Sequence, residues 1–157
     1  MITTAQIKEL REETGLSIMQ CQKALEEAGG LNLTGSDLML KAIALLKAKG
    51  AEIASKKSDR TLGSGTVASY IHSGETIGVL LELLSETDFV AKNPEFKAVA
   101  KEIAMHIAAM KPADTAELLA QPFIKDPSKT IGDLVNGTIQ KFGERTEIGE
   151  FVRFSIN

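Results

Sequence analysis

Tryptophan is absent from this chain, cysteine occurs once and histidine twice. Aromatic residues make up only 4% of it, too few for the stacking surface that single-stranded nucleic acid needs. The lone Cys21 excludes an intramolecular disulfide and points to a reducing compartment. It lies on an apolar helical face, which suits inert core packing. Two histidines and one cysteine cannot build a Cys/His zinc site, so no metal is expected. Excess charge is missing too: 18 basic against 21 acidic residues leave a net charge of −3. Nothing there favours a nucleic-acid backbone as a direct partner. No apolar run approaches the roughly 20 residues that cross a bilayer, so no membrane partner is expected. The start, Met1-Ile2-Thr3-Thr4, has no signal-peptide pattern. A soluble, cytoplasmic protein is the expectation.

Local catalytic motifs are missing as well. There is no G-x-x-x-x-G-K-[ST] run, and Gly63-Ser64-Gly65 lacks the third glycine and the flanking strand and helix of a dinucleotide site. His72 falls on a first strand or at its turn. His106 falls inside a helix face, where a hydrogen-bonded core or groove histidine is the plainer reading. Neither has an obvious nucleophile or carboxylate partner in sequence. The expectation is no catalytic residue, no cofactor and no enzyme, although triads assemble in three dimensions and short motifs alone do not exclude one.

What the chain does have is a change of period. Thr3/Gln6 and Ser17/Gln20 carry capping-box spacing, each before an apolar helical face. Thr14-Gly15 and Gly29-Gly30 end the first two helices. Ser36 is the expected cap of a third, with Leu38, Ala42, Leu45 and Leu46 inward and Gly50 as its stop. Residues 1–50 therefore read as a three-helix bundle. Residues 51–64 read as a basic helical turn and flexible linker, with Lys56, Lys57 and Arg60 on a solvated face. From residue 65 the period is two: a strand through Ile71, a turn at Ser73-Gly74-Glu75 and a returning strand from Ile77 to Leu84. Helices follow over 94–110, 115–120 and 130–142, and residues 151–156 close as a strand. The fold class is α+β, with a three-stranded antiparallel sheet packed under helices across 65–157.

Between the second strand and the long helix stands Ser85-Glu86-Thr87-Asp88-Phe89-Val90-Ala91-Lys92, followed by Asn93 as N-cap and Pro94 at the first helical position. Phe89 is a large apolar residue on a short connector beside a carboxylate. Two readings stay open: it enters a partner's pocket, or it folds back to plug the helix end as a hydrophobic staple does. Met19, just after a cap, is either an adaptable exposed contact or buried in the bundle. Arg11 could pair with a glutamate of its own helix, which is usually worth little.

These segments together resemble the elongation factor Ts family. The resemblance rests on Lys8-Glu9-Leu10-Arg11-Glu12-Glu13-Thr14-Gly15 through Met19-Gln20-Cys21-Gln22-Lys23-Ala24-Leu25, and on Thr87-Asp88-Phe89-Val90-Ala91-Lys92. Tyr70-Ile71-His72, Ala104-Met105-His106-Ile107-Ala108, Lys111-Pro112 and Gln121-Pro122-Phe123 extend it in the same order. It implies a ubiquitin-associated-like (UBA-like) three-helix domain followed by a core, dimerisation domain. It implies a guanine-nucleotide exchange factor that promotes GDP release from elongation factor Tu. Asp88 and Phe89 match loop residues that enter the GTPase, with Thr87 and Val90 shaping that loop. Arg11, Ile18, Met19 and His72 match further positions that touch the same partner.

The chain departs from the family's pattern at an added stretch near Leu31 to Gly35. It is also short between Lys111-Pro112 and Gln121-Pro122-Phe123, and it has one core module where long members have two. A single module implies a homodimer formed by joining the sheets. The competing readings are a non-enzymatic UBA-like adaptor that oligomerises, which would not need an exposed Phe89, and a hydrolase dependent on His72 or His106.

Overall fold

The computed structural model describes residues 1–156. The first three elements are helices: α1 (Thr4–Thr14), α2 (Ile18–Gly29) and α3 (Gly35–Lys56). Both expected capping boxes are formed, Thr3 with Gln6 and Ser17 with Gln20. Gly15 closes α1 in the left-handed region at φ +68°. Leu10, Leu16, Cys21, Leu25, Ala28, Leu38 and Leu46 meet in one buried cluster. Cys21 is fully buried there, its Sγ 3.7 Å from the Thr14 hydroxyl.

Helix α3 departs from expectation at both ends. Thr34, not Ser36, is the N-cap residue, because the Leu38 amide already bonds the Thr34 carbonyl and places Ser36 inside the first turn. At the other end α3 runs through Gly50 to Lys56. Gly50 is no stop: it is buried where α3 crosses α7 (Ile131–Phe142). A Cβ at that point would lie 2.8 Å from Gln140 Oε1, so any larger residue has to push that side chain aside. Tertiary packing overrides the local stop signal, and Ile53 and Ala54 beyond it join a second apolar cluster.

That cluster belongs to a sheet of order β1-β2-β5, all antiparallel, made of β1 (Ser64–Ile71), β2 (Ile77–Ser85) and β5 (Glu147–Ser155). The β1–β2 hairpin turns through Gly74 at φ +92°. On its inner face Val79, Leu81 and Leu83 of β2 pack against α5 (Pro94–Met110), whose Phe96, Ile103 and Ile107 are fully buried. Asn93 caps α5 by accepting the Glu95 amide at 2.9 Å, and Pro94 takes the first turn. Phe96 meets Phe142 of α7 edge-on, ring centroids 6.0 Å apart.

Strand β5 starts at Glu147, four residues before the expected Phe151. The pairing shifts between Leu81↔Phe151 and Leu83↔Ile148, so β5 carries one extra residue opposite Glu82. Ile148 and Phe151, three apart, then share the inner face, and this break in period two is what hides the first half of the strand. A small hairpin, β3 (Pro122–Phe123) with β4 (Asp126–Thr130), follows the one-and-a-half-turn α6 (Thr115–Ala120). Its polar sequence, Asp126-Pro127-Ser128-Lys129-Thr130, has no apolar alternation to announce a strand. His106 of α5 holds it: the Ile124 amide donates to Nδ1 at 3.2 Å, leaving Nε2 to donate to Gln121 Oε1 at 2.9 Å. This is the core histidine expected, and burial keeps its imidazole below the usual titration range, with the Gln121 bond opposing in smaller measure.

Lys47 of α3 pairs with Asp133 of α7 at 3.1 Å, and Lys129 Nζ donates to the Glu13 carbonyl at 3.4 Å. These contacts tie the helical bundle to the sheet half. Burial alone would raise the Asp133 carboxyl. The Thr130 amide and the Lys47 ammonium outweigh it and hold that carboxyl below its ordinary value.

Candidate functional site

The segment between β2 and α5 forms a one-turn helix, α4 (Asp88–Ala91), rather than an open loop. Four residues cannot sustain a helix alone, so the turn depends on anchors around it. Val90 is buried in the sheet cluster, and Ala91 is buried beside it in sequence, at 3% and 4% exposure. Val90 therefore shapes the turn and presents no surface to a partner. Phe89, between Asp88 and Val90, points the other way and is 85% exposed. It does not fold back as a plug, so the staple reading is excluded.

Polar bonds fix the near side of the turn. Ser85, fully buried at the end of β2, donates its hydroxyl to the Thr87 carbonyl at 3.0 Å. Thr87 is the extended N-cap residue, its hydroxyl accepting the Val90 amide at 3.5 Å. Its own amide donates to Glu144 Oε1 at 3.0 Å and its hydroxyl to Glu144 Oε2 at 2.6 Å. The Arg145 amide donates to Glu86 Oε2 at 2.6 Å, and the Arg145 guanidinium reaches the Arg60 carbonyl. Arg60 in turn sits 3.6 Å from Glu86.

Asp88 is exposed, and its carboxylate takes the Ser64 hydroxyl at 2.5 Å, with Lys92 Nζ 3.8 Å away. That hydrogen bond, then the Lys92 charge, holds the carboxyl below its ordinary value. The hydroxyl comes from the start of β1, not from the turn itself.

The other predicted positions lie elsewhere. Ile18 and Met19 occupy the first turn of α2, at 57% and 66% exposure, so Met19 is not buried in the bundle. Arg11 is exposed on α1 and makes no ion pair among the described residues, where the pair on that helix is Lys8–Glu12. His72 is exposed just past β1, its Nδ1 3.1 Å from the Tyr70 hydroxyl. Ser64 touches Asp88, and His72 lies at the far end of the same extended strand, roughly 25 Å along it. One chain thus keeps His72 and Phe89 at opposite ends of the sheet.

Ser64, Glu86, Glu144, Arg145 and Arg60 support the turn, yet none carries a sequence signal for it. The only local hint is Gly143, whose left-handed φ of +71° ends α7 and redirects the chain.

A second exposed apolar feature lies on the outer face of the sheet. Val67, Ile71, Leu80, Val152 and Phe154 stand side by side there, because β1, β2 and β5 pair with Ser69↔Leu80, Leu80↔Val152 and Gly78↔Phe154.

Comparison with known proteins shows the family of the chain. A family model described as "Elongation factor TS" matches residues 4–117 and again 86–157. The elongation factor Ts of Desulforamulus reducens is 40% identical over 200 aligned positions, covering 99% of this chain and 89% of the relative. That of Thermodesulfovibrio yellowstonii is 40% identical over 199, covering 99% and 96%. That of Trichlorobacter lovleyi is 45% identical over 156, covering 99% of this chain but 48% of the relative. The first two alignments are longer than the chain's 157 residues, so those relatives carry residues that this chain lacks.

Proposed function

The chain belongs to the elongation factor Ts family, and from that premise we propose that it is a guanine-nucleotide exchange factor for elongation factor Tu. It promotes GDP release during translation elongation by inserting the Asp88–Phe89 turn near the Mg²⁺/phosphate site of the GTPase. The observation that carries the reading is Phe89, 85% exposed on a turn whose other side is buried and hydrogen-bonded. A fixed apolar tip is suited to a pocket, and burying it there contributes about 2–3 kcal/mol.

The mechanism is linkage. Mg²⁺ demands near-ideal octahedral ligands, so a small displacement of the segment beside it weakens the site. Coupling is reciprocal: bound nucleotide weakens factor binding by the same ratio as the factor weakens nucleotide. Each tenfold loss of GDP affinity takes about 1.4 kcal/mol of differential binding, within reach of one buried phenylalanine. No group of this chain has to carry a proton or form a covalent bond. Ile18, Met19 and Arg11 on the bundle, and His72 on the sheet, supply further contacts with the partner. The adaptor reading leaves the exposure of Phe89 without a use.

A second copy of this chain covers the outer face of the sheet. That face carries Val67, Ile71, Leu80, Val152 and Phe154, with Glu82 and Glu150 toward one end, and a two-fold axis through its apolar part makes that part self-complementary, with two three-stranded sheets packing about 10 Å apart. Two further observations favour association of two copies. The lovleyi relative, at about twice this length, has room for a second module, and residues 86–117 fall in both family matches. Association would bring two modules together where this chain has one.

The test is release of a fluorescent GDP analogue from elongation factor Tu at fixed Mg²⁺, with and without the protein. Acceleration that disappears in Phe89→Ala, with the circular dichroism unchanged, is the expected result. Release at the wild-type rate by a folded Phe89→Ala protein refutes the mechanism.

A further inference from the structure

We propose that Glu144 is a positioning residue for exchange, holding Phe89 at the angle from which it enters its pocket; this rests on the exchange reading above. Helix α4 has a single turn, with the Ala91 amide bonded to the Thr87 carbonyl at 3.2 Å and the Lys92 amide to the Asp88 carbonyl at 2.9 Å. Such a turn frays unless its first residue is held. Glu144 does that with both carboxylate oxygens, one on the Thr87 amide and one on the Thr87 hydroxyl. The hydroxyl's proton is thereby committed, and its lone pair is left facing the Val90 amide. These are charge-assisted bonds, about twice as strong as neutral ones.

The carboxylate is aimed by the chain on either side of it. Gly143 turns the backbone out of α7, and Arg145, on the other side of Glu144, donates its amide to Glu86. Residues 144–145 thus grip residues 86–87 directly before Asp88 and Phe89. Apolar burial of Val90 and Ala91 anchors only the far side of the turn. Without Glu144, Phe89 swings over a wider range, and ordering it on binding costs what the folded turn has already met. Glu144 itself has no need to touch the partner.

The experiment compares wild type, Glu144→Ala and Glu144→Gln by amide hydrogen exchange and by GDP release from elongation factor Tu. In Glu144→Ala the Ala91 and Lys92 amides are expected to exchange about tenfold faster, while those of Ile103 and Ile107 in α5 stay protected. The acceleration of GDP release falls about fivefold, Glu144→Gln is intermediate, and Glu144→Ala adds no further loss in a Phe89→Ala background.

Unchanged protection at Ala91 and Lys92 overturns the proposal. So does an equal further loss in the Phe89→Ala background, which would mean a direct contact or a general loss of fold. If Glu144→Ala loses protection throughout α5, Glu144→Gln decides by the same local criterion. If the wild-type protein does not accelerate GDP release, the exchange reading falls. The amide protection then still reports whether Glu144 holds the turn.

Discussion

Phe89 and Phe154 are both phenylalanines left in solvent, at 85% and 66% exposure, yet they are presented in opposite ways. Phe89 is a single ring on a tight turn, flanked by Asp88 and Lys92 and braced from behind by Thr87, Glu144 and Ser85. Phe154 is one member of a continuous sheet face with Ile71, Leu80 and Val152. A lone ring on a polar mount concentrates its burial energy in one pocket. An extended face spreads it over many side chains, the form suited to a copy of itself across a two-fold axis. Exposure of an apolar residue therefore says only that a surface is unfinished. The mount beneath it says what kind of partner finishes it.

Substitutions at the two rings should separate the two properties. Phe154→Asp is expected to have the largest effect. The residue occurs twice in a symmetric pair, so losing about 2 kcal/mol per copy weakens dimerisation roughly a thousandfold. Sedimentation equilibrium at micromolar concentration reads it, and a wild-type protein that is already monomeric there removes the dimer from the account. Phe89→Ala comes next. It lowers the acceleration of GDP release about thirtyfold or more, the equivalent of 2 kcal/mol, with dimerisation and melting temperature unchanged. A change in sedimentation for that variant would erase the distinction between the two surfaces.

Two smaller effects sharpen the comparison from the interior, where neither ring is touched. Gly50→Val forces a side chain into the crossing of α3 and α7 against Gln140 and costs about 1–3 kcal/mol of stability by thermal unfolding. The smallest expected effect is that of His106. Burial lowers its folded-state value below the ordinary 6.5, so the native state favours the neutral ring. Its contribution is complete above about pH 6.5 and is lost as the pH falls from there toward the lower folded-state value. The melting temperature of wild type should therefore fall more between about pH 7 and pH 5 than that of His106→Gln, and equal slopes would count against it.

Much of the fold was legible because it is written locally. Thr3/Gln6 and Ser17/Gln20 cap helices over three residues, and Asn93-Pro94 starts α5 where expected. The β1–β2 hairpin is likewise set by its turn and by alternation. The misreadings fall where a distant group overrides a neighbour. Gly50 looks like a stop until Gln140 is seen against it. Ile148 looks out of phase until the bulge opposite Glu82 is seen. The β3–β4 hairpin is polar and is held by a histidine sixteen or more residues earlier.

The same division runs through the functional surface. The sequence by itself determined that Phe89 follows a strand and precedes a capped helix, beside a carboxylate, and that Met19 follows a cap. Those are consequences of nearest-neighbour chemistry, in which a cap, a proline or a period acts within a turn or two of chain. Only the tertiary structure decided that Phe89 faces outward while Val90 faces inward, and that Asp88 takes the Ser64 hydroxyl. It alone placed Glu144, 57 residues away in sequence, on Thr87. Those bonds join strands and helices whose meeting depends on the burial of the whole apolar core, so no short stretch of sequence contains them.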